Sequence, residues 1–200
     1  MEAYGLPKPD HKLLEAHPTI SSDLLARIGH GRVMPKPNIE RLNGSRVRFE
    51  DGSEEEIDVI VYCTGYKITF PFFRPGFIDA PGNRIPLYRR VVAPDHPGLY
   101  FTGLIQPLGA IMPIAELQSA WVADVLEGKV ELPPREQMKS VVEREDRRMG
   151  KRYVRSPRHT IQVDFYPYLR TIRRERKRGR GLRSVIAGRS HELRLGRPAV

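Results

Sequence analysis

Two hundred residues with 40% hydrophobic content suffice for one domain or a little more. The single cysteine, Cys63, excludes an intrachain disulfide, and no apolar run reaches bilayer-spanning length, so neither a disulfide scaffold nor a membrane span is expected. The net charge of +10 first points to nucleic acid or an anionic surface, but residues 170–200 hold eleven Lys and Arg against two acids and carry nearly all of it, which leaves the body close to neutral.

Residues 1–18, with Pro7, Pro9 and Pro18, read as an extended connection. The opening MEAYGLPKPDH lacks the basic and apolar regions of a signal peptide, so a soluble, cytoplasmic protein is expected. Ser21 or Ser22 is placed to cap a short helix from Asp23 to Ile28, with Gly29 as its stop. Gly29-His30-Gly31 has the first two glycines of a G-x-G-x-x-G phosphate loop, but Met34 occupies the third position and a helix, not a strand, precedes it, so it reads as a helix C-cap. Ile39–Leu42, Asn43-Gly44 and Arg46–Phe49 spell a hairpin, because Asn-Gly supplies the positive φ angles of a type I′ turn. Asp51-Gly52 turns the chain again.

EIDVIVYCTGY, from Glu56 to Tyr66, then reads as a buried strand over Ile57–Tyr62, rich in β-branched residues, ending at Thr64-Gly65. At the carboxyl end of such a strand, Gly65 would let the backbone approach a bound group. An ordinary strand-to-loop exit fits these residues equally well. Cys63 reads as a small buried side chain.

Six prolines between Phe70 and Pro97 predict a long irregular crossing. Leu99–Phe101 is a short strand, and Pro113 suits the first turn of a helix that runs to about Leu126 and stops at Gly128. Ile114, Leu117, Trp121, Val122 and Val125 form its core stripe. Between strand and helix lies Thr102–Met112, where Gly103 and Gly109 permit close backbone approach to a ligand; Gln106 is a neutral hydrogen-bonding side chain, and the segment has no acid. Arg135–Met149 predicts a second amphipathic helix with Met138, Val141, Val142 and Met149 toward the body. From residue 170 the chain is rich in Arg and Gly and poor in aromatics, which reads as a solvated, partly disordered tail. Gly179-Arg180-Gly181 has no strand before it, and no aromatic interleaves the arginines as a base-stacking platform requires. The six histidines are scattered without metal-ligand spacing.

GLYFTGLIQPLGAIMPIAELQSAW, from Gly98 to Trp121, together with TISSDLL near the start and FPFF at Phe70–Phe73, resembles the flavin-containing monooxygenases, particularly bacterial members, and the resemblance extends over roughly residues 4–170. HTIQVDFYPYL, from His159 to Leu169, is similar to a C-terminal element of the bacterial members. The resemblance implies an α/β fold, the C-terminal part of a Rossmann-like flavoprotein with two dinucleotide-binding domains. Residues 1–66 would end the NADPH-binding domain, 67–97 cross back, 98–169 complete the FAD-binding domain, and 170–200 form the basic tail. The family's two dinucleotide fingerprints are not among these residues, so the chain reads as a portion of a longer enzyme and is expected to be inactive alone.

The resemblance places Gly103, Leu104, Gln106, Pro107 and Leu108 on an FAD-facing loop ahead of the helix, whose N-terminal N–H groups and dipole would stabilise negative charge on reduced flavin. A structural role for the prolines fits as well. Thr64, Gly65 and Tyr66 match the family's TGY element, associated with NADPH and domain coupling, although Tyr66 also suits a core. The implied reaction consumes NADPH and O2 and oxygenates a nucleophilic nitrogen or sulfur of a small molecule through a flavin C4a-hydroperoxide, with no catalytic side chain and no metal. Two alternatives stand beside it: a non-catalytic remnant or basic module acting through the Arg-rich tail, and a Baeyer–Villiger monooxygenase.

Overall fold

Strand pairing and helix burial divide this chain between Tyr66 and Lys67 into two compact units. The computed structural model describes residues 2–16, 18, 20–154 and 156–178.

In the first unit a 3₁₀ turn at Glu2–Tyr4 precedes α1, Leu24–Gly29. The Ser21 hydroxyl oxygen accepts the Leu24 N–H at 3.2 Å. The stop falls two residues later than expected, at Gly31. Its φ of +68° lets Gly31 N–H reach the Ile28 carbonyl and Arg32 N–H reach that of Arg27, the paired bonds of a Schellman ending.

Three antiparallel strands follow, β1 (Ile39–Asn43), β2 (Arg46–Phe49) and β3 (Glu54–Glu56), in the order β1-β2-β3. Asn43 pairs with Arg46, so the two turn residues are Gly44-Ser45, one position beyond Asn43-Gly44. Positive φ is confined to Gly44, at +61°, the requirement of a type II′ turn and not of I′. Val47 and Phe49, alternating on β2, are the buried pair of this sheet.

The expected buried strand at Ile57–Tyr62 is not formed. The ladder's last bond is Ile57 N–H to the Ser45 carbonyl, at 2.8 Å, and beyond it the described residues offer no further strand to pair with. Apolar character alone cannot order an extended segment whose N–H and C=O groups lack partners. Val59 is 74% exposed and Tyr62 73%, and Cys63 is exposed as well, contrary to its expected burial.

The second unit is built on helices. Strand β4 (Gln106–Leu108) leads through α2 (Met112–Leu126) and α3 (Arg135–Arg152) to β5 (Gln162–Asp164), which pairs with β4 in parallel and runs directly into α4 (Phe165–Lys177). Parallel pairing needs a long crossover, here supplied by two helices. The stripe expected on α2 is buried where it matters most, at Ile114 and Trp121, both 0% exposed, and Gly128 ends the helix with φ +65° and a Lys129-to-Asp124 bond of 2.8 Å. Met138, Val141 and Val142 of α3 and Leu169 and Ile172 of α4 complete the same cluster.

Two parts of this unit depart from expectation. The proline-rich crossing is irregular, but Ile85–Ala93 holds core residues: Tyr88 and Val91 are fully buried. Its backbone groups are satisfied by bridges Tyr88–Val92 and Val92–Tyr100, to which the expected strand at Leu99–Phe101 is reduced. Residues 170–177, read as tail, are helical because Tyr168, Leu169, Ile172 and Glu175 recur on one face and are buried there. The basic stretch 179–200 lies outside the described residues. Truncating Ile172→Ala is expected to cost about 2–4 kcal/mol through transfer and cavity terms, measured by urea unfolding of the whole chain, whereas a tail without structure would give no change.

Candidate functional site

Ahead of α2 the chain makes two sharp glycine turns with different purposes. Gly103 has φ +75°, and a Cβ placed there would meet nothing within 4 Å. Its position requires a left-handed backbone and leaves the surface over it open. Gly109, with φ +148°, is the opposite case. An added Cβ would lie 3.0 Å from the Phe165 ring, so the space expected to admit a ligand is filled from α4.

The side chains between them divide in the same way. Leu104 packs against the small cluster of Ile85, Leu87 and Ala93, and Pro107 is buried within β4. Gln106 is half-buried, with its N–H given to the Ile161 carbonyl at 2.8 Å, and Leu108 is half-buried beside it. Residues 109–113 are exposed, and α2 begins with Pro113 in its first turn, no side-chain cap and no acid. A 15-residue helix thus presents an uncapped positive end at the close of the segment that Gly103 opens.

The Gly103 turn is held from inside. Its N–H donates to Gln118 Oε1 at 2.8 Å; Gln118 Nε2 donates to the Tyr168 hydroxyl at 2.6 Å; that hydroxyl donates to the Arg89 carbonyl at 2.6 Å. Gln118 is fully buried, so each of its amide groups is matched at the one place where an unmatched group would be costly. Burial holds the Tyr168 phenol above its ordinary pKa, so it keeps the proton it donates. Sequence reasoning left Gln118 and Tyr168 aside; a glutamine one residue after the core position Leu117 was the available signal.

The chain of bonds ends on Arg89, whose guanidinium reaches Glu175 of α4 at 2.8 Å and also Glu145 of α3. Burial opposes its charge, but the two carboxylates outweigh it and raise its pKa. Tyr88, beneath it, is pushed up to about 12 by burial and then by the charge of Glu175.

Thr64, Gly65 and Tyr66 stand at the end of the first unit. All three are exposed, Tyr66 by 95%, and Gly65 has φ +96° with nothing within 4 Å of an added Cβ. The core alternative for Tyr66 is therefore excluded in this structure. Among the described residues no group of three or more His, Cys, Asp or Glu side chains is placed to hold a metal, and no helix is long and apolar enough to cross a membrane.

The sequence and the fold both have relatives among known proteins. The profile of the flavin-binding monooxygenase-like family matches residues 1–179, and the chain belongs to that family. It is 42% identical to mouse flavin-containing monooxygenase 5 over 174 residues, 86% of this chain and 32% of the mouse protein. Rat dimethylaniline monooxygenase [N-oxide-forming] 2 is 36% identical over 172 residues, again 32% of its length. Among solved structures, S-allyl-L-cysteine S-oxygenase from Allium sativum superposes with a TM-score of 0.59 at 33% identity, covering 70% of this chain and 33% of that one. The α/β flavoprotein fold follows from the family and this likeness. The chain spans about a third of the length of the relatives it matches.

Two outcomes are expected here. Gln118→Leu removes the acceptor of Gly103 N–H and the donor to Tyr168 and should cost about 1–3 kcal/mol, read from urea unfolding. Tyr88 is protonated in the folded state up to about pH 12 but ionises near pH 10 when unfolded, so its contribution to stability is complete below pH 10 and lost as pH rises through 12. Chemical denaturation across that interval should show the decline, and Tyr88→Phe should make it shallower, since Tyr153 and Tyr168 are also raised by burial and keep their own share.

Proposed function

We propose that this chain is the C-terminal portion of an NADPH- and FAD-dependent monooxygenase that oxygenates nitrogen or sulfur nucleophiles of small molecules. The observation that carries the reading is the open turn at Gly103, followed in the chain by the uncapped start of α2, which together offer backbone without side-chain cover ahead of a helix N-terminus. Family membership supplies the flavin, and the relatives whose printed names give a reaction are N-oxide-forming and S-oxygenating. That pattern favours nitrogen and sulfur oxidation over the Baeyer–Villiger alternative.

The residues fit the cofactor. Gly103 lets the backbone come close, the N–H groups at the start of α2 would face its electron-rich edge, and Gln106 offers a neutral hydrogen bond where no acid is present. Leu104, Pro107 and Leu108 would give the loop its apolar backing and exclude water. FAD, when bound, accepts hydride from NADPH and reacts with O2; the chain's own groups bind, orient and shield it. Thr64, Gly65 and Tyr66 would meet the nicotinamide nucleotide, with the open face of Gly65 as the point of approach. The exposed apolar run at residues 57–62 would take strand partners from the remaining two thirds of the enzyme, so activity is expected only with those parts supplied.

Titration of the 200-residue chain with FAD, followed by flavin fluorescence over a salt series, tests the site. Saturable binding that survives salt, and that weakens about tenfold or more in Gly103→Val, is expected; a β-branched residue would both strain the turn and occupy the open face. Binding that vanishes with salt, or that ignores the substitution, would contradict this placement of the flavin.

A further inference from the structure

Helix α4 is closed on its inner side and basic on its outer side. Tyr168, Leu169, Ile172 and Glu175 are buried against the body, whereas Tyr166, Arg170, Arg173, Arg174 and Lys177 are exposed. At 3.6 residues per turn these five fall within an arc of about 100°, and the four cations form a row about 10 Å long. The helix does not balance them. Its one acid, Glu175, is buried and bound to Arg89, with Arg178 on the same carboxylate. Arg176 lies off the row and is paired with Asp124 at 2.6 Å. Arg170, Arg173, Arg174 and Lys177 have no ion pair among the described residues. Glu116 of α2 lines a cleft with Arg173, and four cations outweigh it.

An ordinary charged surface mixes its signs, as α3 does where Arg147 pairs with Glu143 one turn away. The row on α4 does the reverse. Arg170 stands three and four residues before Arg173 and Arg174, and both of these stand one turn before Lys177, so every neighbour along the row is a like charge and works against the helix. A surface phosphate array would turn that repulsion into attraction.

Two polyanions offer such an array, and the row suits one of them better. Nucleic acid is read by amide side chains at base edges or by aromatics set between the cations, and the row holds neither. Lipid headgroups ask only for clustered cations on one helix face. Tyr166, 73% exposed at one end of the row, has the apolar ring and polar tip that settle at headgroup level. Because Tyr168, Leu169 and Ile172 are held in the core, the contact is electrostatic and no apolar face inserts. We propose that the outer face of α4 docks on the anionic surface of a lipid membrane, with Arg170, Arg173, Arg174 and Lys177 against the headgroups. This inference does not rest on the flavin reading.

The 200-residue chain is floated with vesicles of phosphatidylcholine and phosphatidylserine, and with vesicles of phosphatidylcholine alone. Binding to the first and not the second is expected, declining as salt shortens the screening length. Replacing Arg170, Arg173, Arg174 and Lys177 together by Gln, a good helix former, should leave the melting temperature unchanged and weaken binding at least a hundredfold, at about fivefold for each cation. Replacing the three arginines of the row by Lys keeps the charge and should keep the binding, which covers the case in which the Gln variant does not fold. Replacing Arg180, Arg183, Arg189, Arg194 and Arg197 by Gln removes more charge but should weaken binding less. Equal binding to uncharged vesicles, a larger loss from the last variant than from the row, loss of binding in the Lys variant, or tighter binding to a short DNA duplex than to the anionic vesicles would overturn the proposal.

Discussion

The second unit depends on one guanidinium. Arg89 and Arg90 are consecutive non-glycine residues with φ of +51° and +59°, a conformation that costs about 1–2 kcal/mol for each. The turn persists because Arg89 joins Glu145 on α3 to Glu175 on α4, while its carbonyl receives the Tyr168 hydroxyl. Beneath it Tyr88 and Val91 are fully buried against Trp121 and Ile172. An irregular, proline-rich segment is thereby fixed as firmly as a strand, and it carries that rigidity outward through Tyr168 and Gln118 to the Gly103 turn.

Local signals were legible where the chain's own residues satisfy them. The stripe on α2, its stop at Gly128 and the buried face of α3 depend on spacing within one helix and on packing against any apolar surface. The hairpin was legible to within one residue, because Asn43-Gly44 and Gly44-Ser45 are both acceptable turns and only pairing chooses between them. Ile57–Tyr62 was misread because a strand is defined by its neighbours, which composition does not reveal. Helix α4 was hidden by charge: Arg173, Arg174, Arg176 and Lys177 dominate its composition, while Tyr168, Leu169 and Ile172 at helical spacing decide its burial. The Arg89 turn had no sequence signal, since left-handed arginines are sustained by partners 56 and 86 residues away.

Of the candidate residues, Gly103 and the start of α2 have the openness that cofactor contact requires, whereas Gly109 serves the packing of Phe165. Under the proposed function the protein supplies shape more than reactive side chains, so the proposed contacts are a glycine and a helix end with buried bonds behind them. The proposed site is therefore one of backbone shape, in a chain that spans about a third of the length of the relatives it matches.

The most direct test of this account is amide hydrogen exchange at Gly103 in Tyr168→Phe, which deletes a single oxygen between Arg89 and Gln118. If the Arg89 turn holds the glycine turn through that hydroxyl, Gly103 N–H exchanges at least tenfold faster, while amides in the middle of α2 keep their protection relative to global unfolding. Unchanged exchange at Gly103 would mean that the turn stands without Tyr168, and the linkage from Arg89 to the Gly103 turn would be wrong.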